Sequence, residues 1–289
     1  MKQRDRWAEW LAERRFGGDE NLRVELLEKL GRTREEVLHN ARLTAGETLL
    51  DVGCGDGLIA FAALERGAGQ VVFSDISEDL LEACRSLATE LGLLERCRFV
   101  PSAADDLAAI EDASVDVVTT RSVLIFVERK QEAFREFFRV LRPGGRISLW
   151  EPINRFGAEA RVHESFWGYH ASGLENLRDR LNALYAELQP DTDPMLDFDE
   201  RDLLALAEEA GFGELHLTLR ADVAPIEPRP WSTFVNVSGN PRIPSLAEAM
   251  DQALTAEERE RLTERLRPLV EAGRGTQRLA LASLWAVKR

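Results

Sequence analysis

Leu49-Leu50-Asp51-Val52-Gly53-Cys54-Gly55-Asp56-Gly57-Leu58-Ile59-Ala60 is the stretch on which the fold of this chain turns. An apolar run of strand type meets three alternating glycines, and the helical pattern LIAFAALE begins directly after them. Glycine tolerates positive φ and lets a ligand approach the backbone, while a helix start offers free N–H groups and a dipole that favours an anion. The segment reads as strand, binding loop and helix, suited to the anionic end of a ligand. A dinucleotide fingerprint would space its glycines G-x-G-x-x-G, and a phosphate-binding loop would carry Lys before Ser or Thr. Here the spacing is G-x-G-x-G and no such lysine follows.

Working outward, VVFSDIS places Asp75 at the end of the next strand. In a doubly wound sheet the carboxyl ends of the strands line the ligand crevice, so this carboxylate can accept from both hydroxyls of a ribose. Apolar runs near 48–52, 70–74, 97–100, 115–120 and 146–150 alternate with helical patterns, which predicts a parallel sheet covered on both faces. Ser77 can cap the helix after the second run and Gly92 can end it. Residues 4–42 read as two or three helices, the last opened by a capping box of Thr33 and Glu36, and a second box pairs Thr255 with Glu258. Arg142-Pro143-Gly144-Gly145 reads as a tight turn into a strand, ELHLTLR (214–220) as another strand, and QRLALASLWAV (277–287) as the last.

DVGCGDG, FSDIS, SVDVVTTRSVL and VLRPGGRISL together resemble the class I S-adenosylmethionine-dependent methyltransferases, strongly over 45–152 and moderately over 199–221. The resemblance implies an α/β, doubly wound, mostly parallel seven-stranded sheet whose last strand is antiparallel. It implies four regions: a helical prefix at 1–44, a cofactor-binding core at 45–152, a helical insertion at 153–198, and the rest of the core at 199–289 with a second insertion at about 225–275. By position, Asp51, Gly53, Cys54, Gly55 and Gly57 would hold the methionine moiety and ribose, Asp75 would bind the ribose, and Ile76 would pack on the adenine. Arg121 would stand beside the methionine end. S-adenosylmethionine is the expected cofactor and S-adenosylhomocysteine its product. Where relatives carry an aspartate for the adenine amino group this chain has Ala103, which leaves the backbone at Ala104 to serve, with Asp105 and Asp106 as loop acids.

Composition narrows what accepts the methyl group. A formal charge of −14 disfavours broad phosphate-backbone binding, so nucleic acid is not the expected partner. Three dispersed cysteines and four histidines predict neither a disulfide framework nor a metal site. No stretch approaches a membrane span and the charged start does not read as a signal peptide, so the expectation is a cytoplasmic protein. A small-molecule O- or N-acceptor is expected, and a homodimer is compatible with the sequence. Peptide, protein or RNA methylation, or cofactor binding without transfer, are the competing readings.

A base for the acceptor is sought after strand five. Glu151 ends that strand, and His163, Tyr169 and His170 follow, with His163, Trp167 and His170 at helical spacing. His170 leads because an imidazole takes up a proton near neutral pH, with Tyr169 and His163 behind it. Asn154 and Arg155 are candidates for a substrate or cofactor contact, and Trp7, Trp10 and Arg14 share a face of a first helix that could roof the site. Trp231 and Phe234 could complete an apolar wall.

Overall fold

The computed structural model describes residues 4–161, 165–170 and 172–289. The chain opens with α1 (Arg6–Ala12) and α2 (Glu20–Asn40), then β1 (Thr48–Val52), α3 (Leu58–Glu65), β2 (Gln70–Asp75) and α4 (Glu78–Glu90). β3 (Cys97–Pro101), β4 (Val115–Arg121), α5 (Lys130–Val140) and β5 (Leu141–Pro152) complete the parallel part. Next come α6 (Asn154–Arg161), α7 (Glu175–Leu188), α8 (Glu200–Ala210) and β6 (Glu214–Pro225), then α9 (Trp231–Asn236), α10 (Leu246–Ala253), α11 (Ala256–Glu271) and β7 (Thr276–Val287).

Seven strands form one sheet in the order β3-β2-β1-β4-β5-β7-β6, parallel except for β7, which runs antiparallel to both β5 and β6. The apolar runs of the sequence are continuous because the sheet is buried on both faces. Leu49, Val71, Phe73 and Val117 pack toward α2, α3 and α4, while Leu50, Val52, Val72 and Val118 meet Phe134, Phe137 and Leu203 of α5 and α8. A third apolar cluster, with Leu177, Leu181, Leu246, Leu262 and Leu266, holds α7, α10 and α11 together beside the sheet. No described helix is long and apolar enough to cross a membrane.

Local signals were read with mixed success. Ser77 caps α4 by accepting from the Leu80 N–H at 3.1 Å, and Thr255 and Glu258 form the expected box. Thr33 does not open a helix: α2 runs unbroken from Glu20, capped by Asp19, and the Thr33 hydroxyl donates to the Lys29 carbonyl. The 142–145 turn lies within β5 as an excursion, since Leu141 and Arg146 on β5 oppose Val115 and Val117 on β4. Trp167 and His170 do not share a helix face. Phe166 and Tyr169 exchange backbone hydrogen bonds around Trp167 at φ +47° and Gly168 at φ +91°, a tight hairpin turn. His163 lies outside the described residues.

Candidate functional site

Strand order reverses between β1 and β4, and in open α/β sheets a crevice opens at such a point beyond the carboxyl ends of the strands. The glycine loop fills that place. Cys54 N–H donates to the Ser74 carbonyl at 2.9 Å, and Gly57 N–H to the Cys54 carbonyl at 2.9 Å. Gly53, Gly55 and Gly57 have φ of +64°, +56° and +81°, a region costly for any other residue. A Cβ on Gly53 would stand 2.5 Å from Val123, and one on Gly57 2.6 Å from the Phe61 ring. At Gly55 it would meet only Leu11 at 3.7 Å, so this glycine faces open space.

Asp75 joins the loop to β2. Its Oδ2 accepts from the Gly55 N–H and its Oδ1 from the Ser77 N–H, each at 2.9 Å. A carboxylate offers about four lone-pair directions, so one on each oxygen remains for a ligand. Burial raises its pKa, opposed by the backbone N–H groups of Ser77, Gly55 and Ile76. Asp51 is buried beneath the loop, accepts from the Thr119 hydroxyl at 2.9 Å, and is pushed by burial to about 7.

The prefix forms the roof. Asp5 caps α1 through Trp7 N–H and Ala8 N–H, accepts from the Ser77 hydroxyl at 2.6 Å, and donates its own N–H to Asp79 at 2.7 Å. Trp7 and Trp10 stand edge-on to Phe126 with ring centroids at 4.9 and 6.5 Å. Trp10 also donates its indole N–H to the Ser238 carbonyl at 2.7 Å. The cavity beneath them measures about 540 Å³, within the range of small-ligand sites. Gly53, Gly55, Asp75, Ile76, Ala103, Ala104, Asp105 and Arg121 line it, together with Asn154, Met195 and Arg242. Ile76 is 52% exposed despite its apolar side chain.

Of the candidate bases, none that is described lines this cavity. His170 is exposed, because the tight 166–169 turn carries it away from the helix face expected for it. Tyr169 is fully buried in the helical cluster, edge-on to Phe234 at 5.4 Å, and its hydroxyl has no partner. Trp231 and Phe234 pack against this cluster and not on the cavity. Glu151 is fully buried behind the cavity floor, where it accepts from Val123 N–H at 3.0 Å and the Thr120 hydroxyl at 3.3 Å. It fixes the turn after β4 from below.

Arg15 and Phe126 were missed by sequence reading. α1 stops at Ala12, and the following 3₁₀ turn (Arg14–Phe16) sends Arg14 outward to Glu248 at 2.6 Å while Arg15 enters the cavity wall. Burial, then the neighbouring Arg121, lowers Arg15 to about 10, where it is still cationic at neutral pH. A helix-length signal at Ala12 would have been needed to choose between the two arginines.

Burial raises Glu151 to about 7, against the N–H groups of Val123, Leu124 and Ile125. The folded chain therefore holds this proton more tightly than the unfolded chain, for which the ordinary value is 4.5. Its contribution to stability is fully present below that pH and is lost as pH rises to about 7. Glutamine mimics the protonated form. Glu151→Gln should match the parent near pH 4 and exceed it at pH 8, by up to about 3 kcal/mol, in thermal unfolding at both pH values. Equal stability at pH 8 would show that Glu151 is ionised in the fold at no cost.

Similarity to known proteins agrees with the site. A family model described as a methyltransferase domain matches residues 50–149. The chain is 33% identical over 173 residues to the ubiquinone/menaquinone biosynthesis C-methyltransferase UbiE of Pseudomonas putida, a match covering 58% of this chain and 66% of that protein. It thus spans slightly less than two-thirds of the length of this relative. A solved structure from Bacillus halodurans C-125, assigned as a methyltransferase, superposes with a TM-score of 0.53 at 21% identity, covering 88% of this chain and 98% of that one. The [4+2]-cyclase SpnF has the same fold, with a TM-score of 0.51 at 21% identity over 89% of this chain and 80% of its own. With its glycine loop, strand-end Asp75 and sheet order, the chain has the Rossmann-like fold of class I methyltransferases, and its residues 50–149 match a methyltransferase domain.

Proposed function

We propose that the chain transfers a methyl group from S-adenosylmethionine to an oxygen or nitrogen of a small molecule enclosed between the glycine loop and the prefix. The observation that carries this reading is the roof: Trp7, Trp10 and Leu11 cover a cavity of about 540 Å³ over the loop. A pocket of this size, covered by the prefix on one side, suits a cofactor end and a small acceptor. When bound, the cofactor supplies a methyl group already activated by its sulfonium.

The residues present fit that cofactor. Asp75 keeps two lone pairs for the ribose hydroxyls, and Gly55 leaves room beside the loop where a side chain would intrude. Gly53 and Gly55 line the wall around the methionine moiety, while Cys54, Gly57 and the buried Asp51 stand behind it, outside the cavity lining. Ile76 offers an apolar face to the adenine. Backbone groups at Ala103 and Ala104 meet its edge, since Asp105 is engaged with Arg129 at 2.9 Å. Arg15 faces the methionine carboxylate from the roof. The protein's work is then alignment and exclusion of water, which by themselves account for a large part of a methyl-transfer barrier.

The absence of a histidine or tyrosine among the described lining residues favours acceptors that need no strong base. It also keeps alive cofactor binding without transfer. Carbon is the competing methylated atom, given the relative of that name. Calorimetry should find one S-adenosylhomocysteine bound per chain, and a metabolite screen should find its formation from S-adenosylmethionine with at least one acceptor. Binding without turnover of any acceptor would favour the non-transferring reading, and no binding would overturn both. The methyl position in the product, read by NMR, decides between oxygen, nitrogen and carbon.

A further inference from the structure

A cavity in a chain of net charge −14 is lined by four arginines, Arg15, Arg121, Arg129 and Arg242, against Asp75, Asp105 and Glu128. Two of those acids are already engaged. Asp75 spends one lone pair of each oxygen on backbone N–H groups, and Asp105 pairs with Arg129. Glu128 is exposed at the rim. Arg15 and Arg121 sit deep and close enough to repel each other, and among the described residues neither has an ion pair or a side-chain hydrogen bond. Asp56 faces both, with Asp51 and Glu151 behind Arg121, none within ion-pair distance.

The cofactor does not balance this charge. When bound it would bring one carboxylate, which Arg15 could match, and one ammonium, which Asp56 could match, so Arg121 would keep no counter-ion of its own beside the sulfonium. Two cations brought close in a cavity of reduced dielectric repel each other. An anion between them removes that cost. In the same cavity lining Asn154, immediately past β5, has a buried amide nitrogen with no hydrogen-bond partner among the described residues. A buried donor left unpaired is costly, so its natural complement is an acceptor oxygen supplied by the ligand. The edges and faces of Trp7, Trp10 and Phe126 form an apolar wall beside it.

We infer that the acceptor is a small aromatic carboxylate, its carboxylate held by Arg121 and Asn154 and its ring set against Trp7, Trp10 and Phe126. This rests on the methyltransferase reading, and it names the substrate class and two residues that select it. The carboxylate serves recognition and neutralises the field at the sulfonium.

The test is calorimetric titration of the S-adenosylhomocysteine-loaded protein with benzoate, cinnamate and indole-3-acetate, each paired with its primary amide. At least one acid should bind roughly tenfold or more tightly than its amide, a difference of about 1.4 kcal/mol. Arg121→Met should erase that gap, measured on the variant saturated with S-adenosylhomocysteine so that any change in cofactor affinity is separated from it. Arg121→Gln reads the same quantity if the methionine variant does not fold. Asn154→Ala should narrow the gap, and Arg15→Met should weaken S-adenosylhomocysteine instead. The inference is overturned if no acid outbinds its amide, or if the gap persists in the cofactor-saturated variant without Arg121. Failure of the parent to bind S-adenosylhomocysteine, measured before any acid is added, would instead defeat the methyltransferase reading and with it this one.

Discussion

In an Asp75→Ala chain, affinity for S-adenosylhomocysteine is expected to fall by roughly 10²-fold or more. Hydrogen bonds to a charged group contribute about 1.5 to 3 kcal/mol each, so loss of two to the ribose already reaches that range. A second effect adds to the first, because the same carboxylate holds the Gly55 N–H and the Ser77 N–H at 2.9 Å. Without it, the loop that shapes the methionine wall loses its tie to β2. Asparagine is not a mild replacement: whichever way its amide is turned, an NH₂ group meets one of two backbone donors. Asp75→Asn should therefore weaken binding nearly as much as Asp75→Ala. Calorimetry on variants whose circular dichroism matches the parent checks both. Unchanged affinity in either would place the ribose elsewhere.

How much of this was legible beforehand varied with how local the cause was. The strands were readable because a parallel sheet buried on both faces imposes unbroken apolar runs, and Leu49–Val52 and Val71–Phe73 obey that rule. Asp75 was readable because its place at a strand end follows from the same pattern. Thr33 misled because a capping box is a local signal, and a 21-residue helix anchored by Val37 and Leu38 in the core overrode it. His170 was placed at the site by helical spacing, yet Trp167 and Gly168 both adopt positive φ and turn the chain there. The roof was the least legible part. Phe126, Ser238 and Arg242 come from three distant segments, and only their contacts with Trp7 and Trp10 make them one wall. Nothing in the spacing of a sequence encodes that meeting.

The second large effect is expected at Gly53. Alanine there must adopt φ near +64°, which for a side-chain-bearing residue costs about 1 to 2 kcal/mol. Its Cβ would also stand 2.5 Å from Cγ2 of Val123, a contact that forces either the loop or the β4 turn to move. Overpacking of this kind typically costs about 1 to 3 kcal/mol. The two costs differ in origin, so they can be separated. Gly53→Ala should destabilise the chain by roughly 2 to 5 kcal/mol and lower S-adenosylhomocysteine affinity by about 10²-fold, as the displaced loop no longer presents its N–H groups. Truncating the neighbour relieves only the clash. In the double variant Gly53→Ala, Val123→Ala, the steric part should return as a favourable coupling of about 1 to 3 kcal/mol, while the φ penalty remains. A double-mutant cycle in chemical denaturation measures that coupling, and calorimetry measures the cofactor. Additive effects of the two substitutions would mean that Val123 does not set the loop, and that conformation alone is why glycine stands at this position.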